Sequence, residues 1–236
     1  FKSFAAKKAD CIVALTEINK NVFIDELHAK NKVVSIPNPI DPKLFDKVHE
    51  YNCKSNRIIT VGRFCFQKYY EKLVEVAVIV FKIHPEWHWD IYGDGPDMEK
   101  ISSMIKENNI EGNLHLLGSI PNVYDKYQLY SFLVMTSKSE CYPMVLLEAM
   151  ANNLPMVAFN IPGARSIIEN YINGYLTECF DAQEMADKIV ELIESRDKRI
   201  ELSNGNKALI EKHKINSIVG LWNKLIDEVL DEKNNS

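Results

Sequence analysis

The stretch FLVMTSKSECYPMVLLEAMANNLPMVAF, residues 132–159, determines the fold class. Two short apolar runs, 132–136 and 155–159, flank a longer apolar segment, 143–151, that begins with a proline. Short apolar runs bounded by polar residues are typical of buried strands, and proline fits the first turn of a helix. The stretch therefore predicts a strand, a helix and a second strand.

The same alternation extends over most of the chain. Predicted strands cover 57–62, 88–92, 114–117, 132–136, 155–159 and the surroundings of Tyr175. Predicted helices cover 71–82, 98–107, 123–130, 143–151, 164–169 and 182–194, the last with a capping box at Asp181 and Glu184. Strands that are apolar throughout need helices on both faces. The fold class is therefore α/β, a doubly wound parallel sheet.

The two ends of the chain differ from this pattern. Before the sheet, the sequence predicts a helix over 1–9, a strand over 11–15, a helix over 19–28 and a strand over 33–36. After it, 198–232 predicts two more helices, and the second is apolar enough to need a packing partner, in this domain or another. Four parts result: 1–40, a linker over 41–55, the α/β domain over 56–197, and C-terminal helices over 198–236.

Composition excludes several classes of protein. The 236 residues carry a net charge of −5, which disfavours a nucleic-acid partner. The five cysteines form no metal-binding or disulfide pattern, which favours a reduced, cytoplasmic setting (Cys11, Cys53, Cys65, Cys141 and Cys179). No apolar run approaches the roughly 20 residues of a membrane span. The opening FKSF lacks an initiator Met, and we expect a cut within a longer protein.

Ligands bind a doubly wound sheet where strands end and helices begin. The turn after the first strand of this sheet carries Arg63 and Lys68 just before a helix, where the helix dipole disfavours cations. An anion between the two would relieve this repulsion, so both are candidate phosphate ligands. Two solvated surface charges would give the same pattern.

A pair of carboxylates follows the strand over 132–136. Glu140 lies in the loop before a helix, and Glu148 interrupts the apolar segment 144–150. A carboxylate in such a segment is costly to bury without hydrogen-bond partners. The pair, with a helix start between, suits a ligand that has hydroxyls at both ends and phosphate in the middle, as a sugar nucleotide has. The alternative places Glu148 on a solvated stripe.

Two further turns reach the same edge of the sheet. The glycines of Gly93-Asp94-Gly95-Pro96 either bring backbone close to a ligand or only form a tight turn. The turn over 161–166 adds Arg165, either as a ligand contact or as an ordinary surface residue.

With these residues the chain resembles the retaining GT-B glycosyltransferases of family 4, also called glycosyl transferase group 1. The resemblance covers about residues 9–195. The matching pieces, in order, are IPNPID at 36–41, Val61-Gly62-Arg63 with Gln67-Lys68, IYGDGP at 91–96, LGSI at 117–120, Glu140 to Glu148 with seven residues between, and Pro162-Gly163 with Glu169, Asn173 and Gly174.

The resemblance implies a role for each candidate residue. Arg63 and Lys68 would hold the donor diphosphate and stabilise the leaving nucleoside diphosphate without a metal ion. Glu140 would contact the transferred sugar near the reacting carbon, and Glu148 would accept hydrogen bonds from the ribose. The other donor-binding positions implied are the main chain at Met144, Val145 and Ile120, the last against the base, together with Gly62 and Gly95.

The family reaction transfers a hexose from UDP-sugar, expected here over GDP-sugar, to an acceptor hydroxyl with retention, in polysaccharide or glycoconjugate assembly. No cofactor is implied. Residues 1–40 would be the remnant of an N-terminal Rossmann domain that binds a saccharide or lipid-linked acceptor and could associate peripherally with a membrane. The chain alone would then be the donor-binding half, with weak nucleotide binding and little or no catalysis.

Two departures from the family pattern lie beside the candidate residues. Tyr69-Tyr70 stand where Gly and Asp are usual, which predicts a tighter or displaced phosphate turn, and Cys141-Tyr142 replace an aromatic–glycine pair. A GT-B epimerase or phosphorylase remains an alternative, as does a non-catalytic nucleotide-sugar-binding module. Against the module, a scaffold alone gains nothing from two cations at a helix start.

Overall fold

Six parallel strands form the central sheet of a larger unit that runs from Lys43 to Leu209. A smaller unit combines the residues before it with those after it. The structure, a computed structural model, describes residues 8–25, 32–44 and 51–234. The predicted helix over 1–9 and the end of the one over 19–28 lie largely outside these residues.

In chain order, the described strands are β1 Cys11–Ala14, β2 Lys32–Ser35, β3 Arg57–Val61, β4 His88–Tyr92, β5 Leu114–Leu116, β6 Phe132–Met135, β7 Met156–Phe159 and β8 Gly174–Thr177. The described α-helices are α1 Glu17–Asp25, α2 Tyr70–Ile83, α3 Met98–Glu107, α4 Met144–Ala151, α5 Pro162–Arg165, α6 Ala182–Glu194, α7 Arg196–Leu209 and α8 Ile215–Asn234. Short 3-10 helices cover Pro42–Leu44, Phe66–Lys68, Val123–Leu129 and Ile210–His213.

The strand order of the large sheet, β5-β4-β3-β6-β7-β8, confirms the doubly wound fold. The chain moves outward in one direction from β3 to β4 and in the other from β6 to β7. Since such crossovers are right-handed, α2 and α4 lie on opposite faces of the sheet. Strands β3 and β6 are neighbours, so the turns after them open at the switch point where ligands bind doubly wound sheets.

The core explains why β6 and β7 are apolar throughout. Every residue of both strands is buried, and α4 buries Leu146, Leu147 and Met150. Helix α4 contacts both strands and α7, while α2 packs against α6. A loop of eight residues, 136–143, therefore connects the end of β6 to the N-terminus of α4.

One carboxylate is buried within the sheet. Asp90 on β4 is fully buried and accepts hydrogen bonds from Arg57 Nε at 3.1 Å and from Tyr130 Oη at 2.8 Å. His115 Nδ1 on β5 lies 2.8 Å away. Burial by itself would raise the pKa of Asp90, but these hydrogen bonds outweigh it and lower the pKa. The contacts account for Asp90 as part of the sheet core.

Two predicted helices differ from those observed. The segment predicted as a helix over 123–130 is the 3-10 helix Val123–Leu129. Only Tyr127 of this segment is buried, so packing favours a regular α-helix little over a 3-10 helix. The helix predicted over 164–169 is the four-residue α5. It ends because Asn173 takes over local backbone groups, accepting from the Glu169 N–H at 2.8 Å and donating to the Ile167 carbonyl at 3.2 Å.

The predicted capping box at the start of α6 is present with a changed partner. The Asp181 side chain accepts from the Glu184 N–H at 3.0 Å, as predicted. The Glu184 side chain accepts from the Glu178 N–H at 2.9 Å, where a regular box would use the N–H of Asp181.

In the smaller unit, β1 and β2 pair in parallel. Ile218 and Leu225 of α8 are buried in a cluster with Ile36, and this packing partly accounts for the apolar residues of the last helix. Lys32 Nζ on β2 lies 2.6 Å from Glu228 Oε2 on α8. None of the described helices is long and apolar enough to cross a membrane.

Candidate functional site

The turn after β3 is fixed to the turn after β4 by backbone contacts. Gly62 and Phe64 donate to the carbonyls of Tyr92 and Asp94 at 2.9 and 3.0 Å. A Cβ on Gly95 would lie 2.3 Å from the Phe64 carbonyl oxygen. Gly95 therefore lets two turns pack closely, as the tight-turn interpretation requires, and a contact between Gly95 and a ligand stays a prediction.

A groove opens beside this turn and brings predicted site residues together. It has a volume of about 270 Å³, and its lining includes Gly62, Arg63 and Ile120. Val123 and Tyr92 contribute to the same lining. The Arg63 side chain is exposed, and no hydrogen bond or ion pair engages it among the described residues. A guanidinium in this state is available to an anion in the groove.

Lys68 has a partner within the protein. Its Nζ lies 2.6 Å from Glu140 Oε1, and Ser137 donates to the same oxygen at 3.0 Å. The Lys68 and Glu140 side chains are only 19% and 13% exposed. The sequence predicts a ligand anion between Arg63 and Lys68. In the structure, the carboxylate of Glu140 lies beside Lys68. Lys68 is therefore not a solvated surface charge.

The turn after β3 and the loop after β6 are held together as one structure. Lys138 N–H donates to the Gln67 carbonyl at 2.8 Å, and Gln67 Nε2 donates to the Ser139 carbonyl at 2.6 Å. Thr136 Oγ1 donates to the Lys68 carbonyl at 3.0 Å. Because these bonds fix the loop backbones around Lys68 and Glu140, the ion pair has a defined geometry.

Tyr69, which departs from the family pattern, has an unusual backbone conformation. Its backbone is left-handed, at φ 55° and ψ 46°, a conformation that favours glycine. Lys138 Nζ lies 4.0 Å from the centre of its ring and 3.3 Å from that of Phe66. The cation–π contacts help to hold a backbone that is unfavourable for tyrosine. Tyr69 thus adopts a backbone conformation that favours glycine, and a tighter or displaced phosphate turn stays a prediction.

The loop over 137–143 also packs against α5, the short helix that follows β7. A Cβ on Gly163 would lie 2.4 Å from the Glu140 carbonyl oxygen, so only glycine allows α5 to approach this closely. Arg165, which follows on α5, donates to the Asn160 carbonyl and side-chain oxygens at 3.3 Å each. These contacts favour the ordinary-surface interpretation of Arg165.

Glu148 lies on α4 and is half-buried, which excludes the solvated-stripe interpretation. Tyr127 Oη donates to Glu148 Oε2 at 2.8 Å. Burial raises the pKa of Glu148, and the hydrogen bond from Tyr127 partly opposes that rise. At the start of α4, Pro143 provides no side-chain cap, and Met144 and Val145 form the first turn. The positive end of the helix dipole there favours an anion.

Sequence reasoning missed three supporting residues. Tyr127 is 21 positions from Glu148, and no local pattern predicts their contact. Gly163 belongs to a motif of the family resemblance, but its close approach to Glu140 depends on the fold. Of the three, Ser137 is the residue that the sequence could have indicated, because it is polar and directly follows the predicted strand 132–136.

The doubly wound sheet, with this site at its switch point, matches the structures of GT-B glycosyltransferases. The family model described as "Glycosyl transferases group 1" matches residues 42–209. The chain belongs to this family.

Curated relatives include an uncharacterized glycosyltransferase of Haemophilus influenzae, 29% identical over 95% of this chain and 63% of its own length. Another is the poly(ribitol-phosphate) alpha-N-acetylglucosaminyltransferase of Staphylococcus aureus, 30% identical over 94% of this chain and 45% of its own length. The chain therefore spans about half to two thirds of the length of these relatives.

Solved structures agree with the sequence matches. A variant of TarM from S. aureus, in complex with fondaparinux, alpha-GlcNAc-glycerol and UDP, has a TM-score of 0.87 at 27% identity, covering 95% of this chain and 46% of its own. The pneumococcal O-GlcNAc transferase GtfA, in complex with UDP and GlcNAc, has a TM-score of 0.85 at 25% identity, covering 97% of this chain and 47% of its own.

Proposed function

We propose that the chain is the donor-binding half of a retaining family 4 glycosyltransferase. It would bind a UDP-sugar, in preference to a GDP-sugar, for transfer of the hexose to an acceptor hydroxyl in polysaccharide or glycoconjugate assembly. The observation that carries the proposal is the position of Arg63, Lys68 and the start of α4 in the turns that follow β3 and β6, with Glu140 paired to Lys68. Glu148 lies further along α4. The UDP in the TarM and GtfA structures supports the choice of nucleotide.

The cations would act on the diphosphate. Breaking the bond between the anomeric carbon and the phosphate oxygen leaves an additional negative charge on the departing UDP. The exposed Arg63 guanidinium and the Lys68 ammonium can stabilise this charge, together with the N–H groups at the start of α4. With these groups in place, the proposed reaction needs no metal ion.

Lys68 and Glu140 would exchange partners during the reaction. In the structure the Lys68 ammonium is balanced by Glu140 at 2.6 Å. A bound diphosphate offers Lys68 a more highly charged partner, which leaves the carboxylate of Glu140 able to accept hydrogen bonds from the sugar near its anomeric carbon. Glu140 thereby links the donor phosphate to the transferred sugar.

The remaining roles concern the nucleoside and the acceptor. Glu148 would accept hydrogen bonds from the ribose, and the main chain at Ile120 would contact the base in the groove that Ile120 lines. A saccharide or lipid-linked acceptor would bind the other half of the protein, which could associate peripherally with a membrane from the cytoplasm. The 236-residue chain alone would bind nucleotide weakly and transfer little or no sugar.

Product analysis of the protein that contains this chain tests the proposal. UDP-glucose and UDP-N-acetylglucosamine are incubated with a saccharide acceptor, and the anomeric configuration of the product is read by NMR. We expect an α-linked product from an α-linked donor, and we expect the Glu140→Gln variant to lose transfer. An inverted linkage would overturn retention, and epimerised nucleotide sugar formed without acceptor would indicate the epimerase alternative.

A further inference from the structure

We propose that Tyr127 is a positioning residue for nucleotide binding, which fixes one oxygen of Glu148 and leaves the other for a ribose hydroxyl. The inference rests on the proposed function, in which Glu148 is the ribose acceptor. The side chain of Tyr127 is completely buried, and its Oη lies 2.8 Å from Glu148 Oε2. Among the described residues, no side chain or backbone group donates to Glu148 Oε1.

The chemistry of the pair sets the direction of this hydrogen bond. Burial and the neighbouring Glu148 carboxylate raise the pKa of Tyr127 well above its ordinary value, so the phenol keeps its proton and donates. A carboxylate rotates freely about its last torsion in solvent, and a rigid donor on one oxygen restricts this rotation. The oxygen that remains is then presented in one orientation.

The same segment also reaches the groove. Tyr127 lies on the 3-10 helix Val123–Leu129, and Val123 at its start lines the groove together with Ile120. The segment thus borders the groove in which the base would bind and orients the proposed ribose acceptor. Tyr127 anchors it, since Tyr127 is its only buried residue.

The test measures whether Tyr127 acts through the ribose hydroxyls. UDP and 2′,3′-dideoxy-UDP are titrated calorimetrically into the wild-type chain and into the Tyr127→Phe, Glu148→Gln and double variants. The matched control is Tyr124→Phe on the same 3-10 helix, whose hydroxyl bonds, within the described part of the chain, only to the Asn122 side chain. We expect Tyr127→Phe to weaken UDP binding by roughly tenfold, the scale of one hydrogen bond to a charged group, and to leave dideoxy-UDP binding unchanged.

The variants separate failure of this inference from failure of the proposed function. If Glu148→Gln binds UDP as tightly as the wild type, the ribose role of Glu148 is wrong. If Glu148→Gln weakens UDP binding but Tyr127→Phe does not, the positioning role alone is wrong. Equal weakening of UDP and dideoxy-UDP by Tyr127→Phe would also overturn it, because that pattern reports a change in the fold. In the Glu148→Gln background, we expect the second substitution to have no further effect.

Discussion

The ammonium of Lys68 lies 2.6 Å from Glu140 Oε1, although the two residues are 72 positions apart in the chain. They meet because β3 and β6 are neighbours in the sheet, and each residue follows one of these strands. Ser137 donates to the same oxygen, so the carboxylate is held from two sides. A diphosphate that binds Lys68 must therefore compete with Glu140.

This competition predicts opposite effects for the two partners. Glu140→Gln removes the charge that competes for Lys68, and we expect UDP to bind about fivefold more tightly, the scale of a partly exposed ion pair. Lys68→Met removes a charge-assisted contact to phosphate, and we expect binding at least roughly tenfold weaker. Isothermal titration with UDP measures both. Weaker UDP binding by Glu140→Gln would show that Glu140 supports nucleotide binding directly.

Replacement of Gly163 tests the close approach of α5 to Glu140. In Gly163→Ala the new methyl group would lie 2.4 Å from the Glu140 carbonyl oxygen, so α5 or the loop must move. We expect the free energy of unfolding to fall by about 1–3 kcal/mol, as in other overpacked sites. Gly112→Ala is the control, because a Cβ on Gly112 meets no atom within 4 Å. Urea denaturation compares the two, and equal stability would contradict the close approach.

The raised pKa of Glu148 predicts how nucleotide binding depends on pH. In the proposed site, ionised Glu148 accepts a ribose hydroxyl with the oxygen that Tyr127 does not engage, and protonation of that oxygen turns it into a donor. Since burial raises the pKa, the protonated form is populated at a higher pH than for an exposed glutamate. We expect UDP affinity to fall as pH decreases through this raised pKa. The Glu148→Gln variant should lack this component, and identical pH profiles of the two proteins would contradict the assignment.

Substitution of Arg199, which lies away from the site, is expected to change the free energy of unfolding. Its buried guanidinium donates to the Ile193 carbonyl at the end of α6 at 2.9 Å and to the Cys53 carbonyl at 2.8 Å. We expect Arg199→Met to lower the free energy of unfolding by about 3 kcal/mol, because a buried and a partly buried carbonyl lose their donors. Arg196→Met, at an exposed arginine three positions earlier, should change it by under about 0.5 kcal/mol. Similar losses in thermal denaturation would contradict this account.

The sequence predicts the order of strands and helices well, because buried parallel strands and their helices have distinct apolar periods. It also predicts a cost for Glu148 in an apolar helix, and the structure confirms that Glu148 is half-buried. It does not predict that Lys68 already pairs with Glu140, since this contact requires two distant turns to meet. The sequence also does not predict the left-handed backbone of Tyr69, because tyrosine does not favour this conformation.

Titration of the chain with UDP tests the central claim most directly, which is that Arg63 and Lys68 hold the nucleotide. The comparison uses the wild type, the double variant Arg63→Met with Lys68→Met, and the control Lys106→Met, at an exposed lysine on α3. We predict that the wild type and the control bind UDP with equal affinity and that the double variant binds at least roughly a hundredfold more weakly. Absence of UDP binding by the wild type, or equal binding by all three proteins, would contradict it.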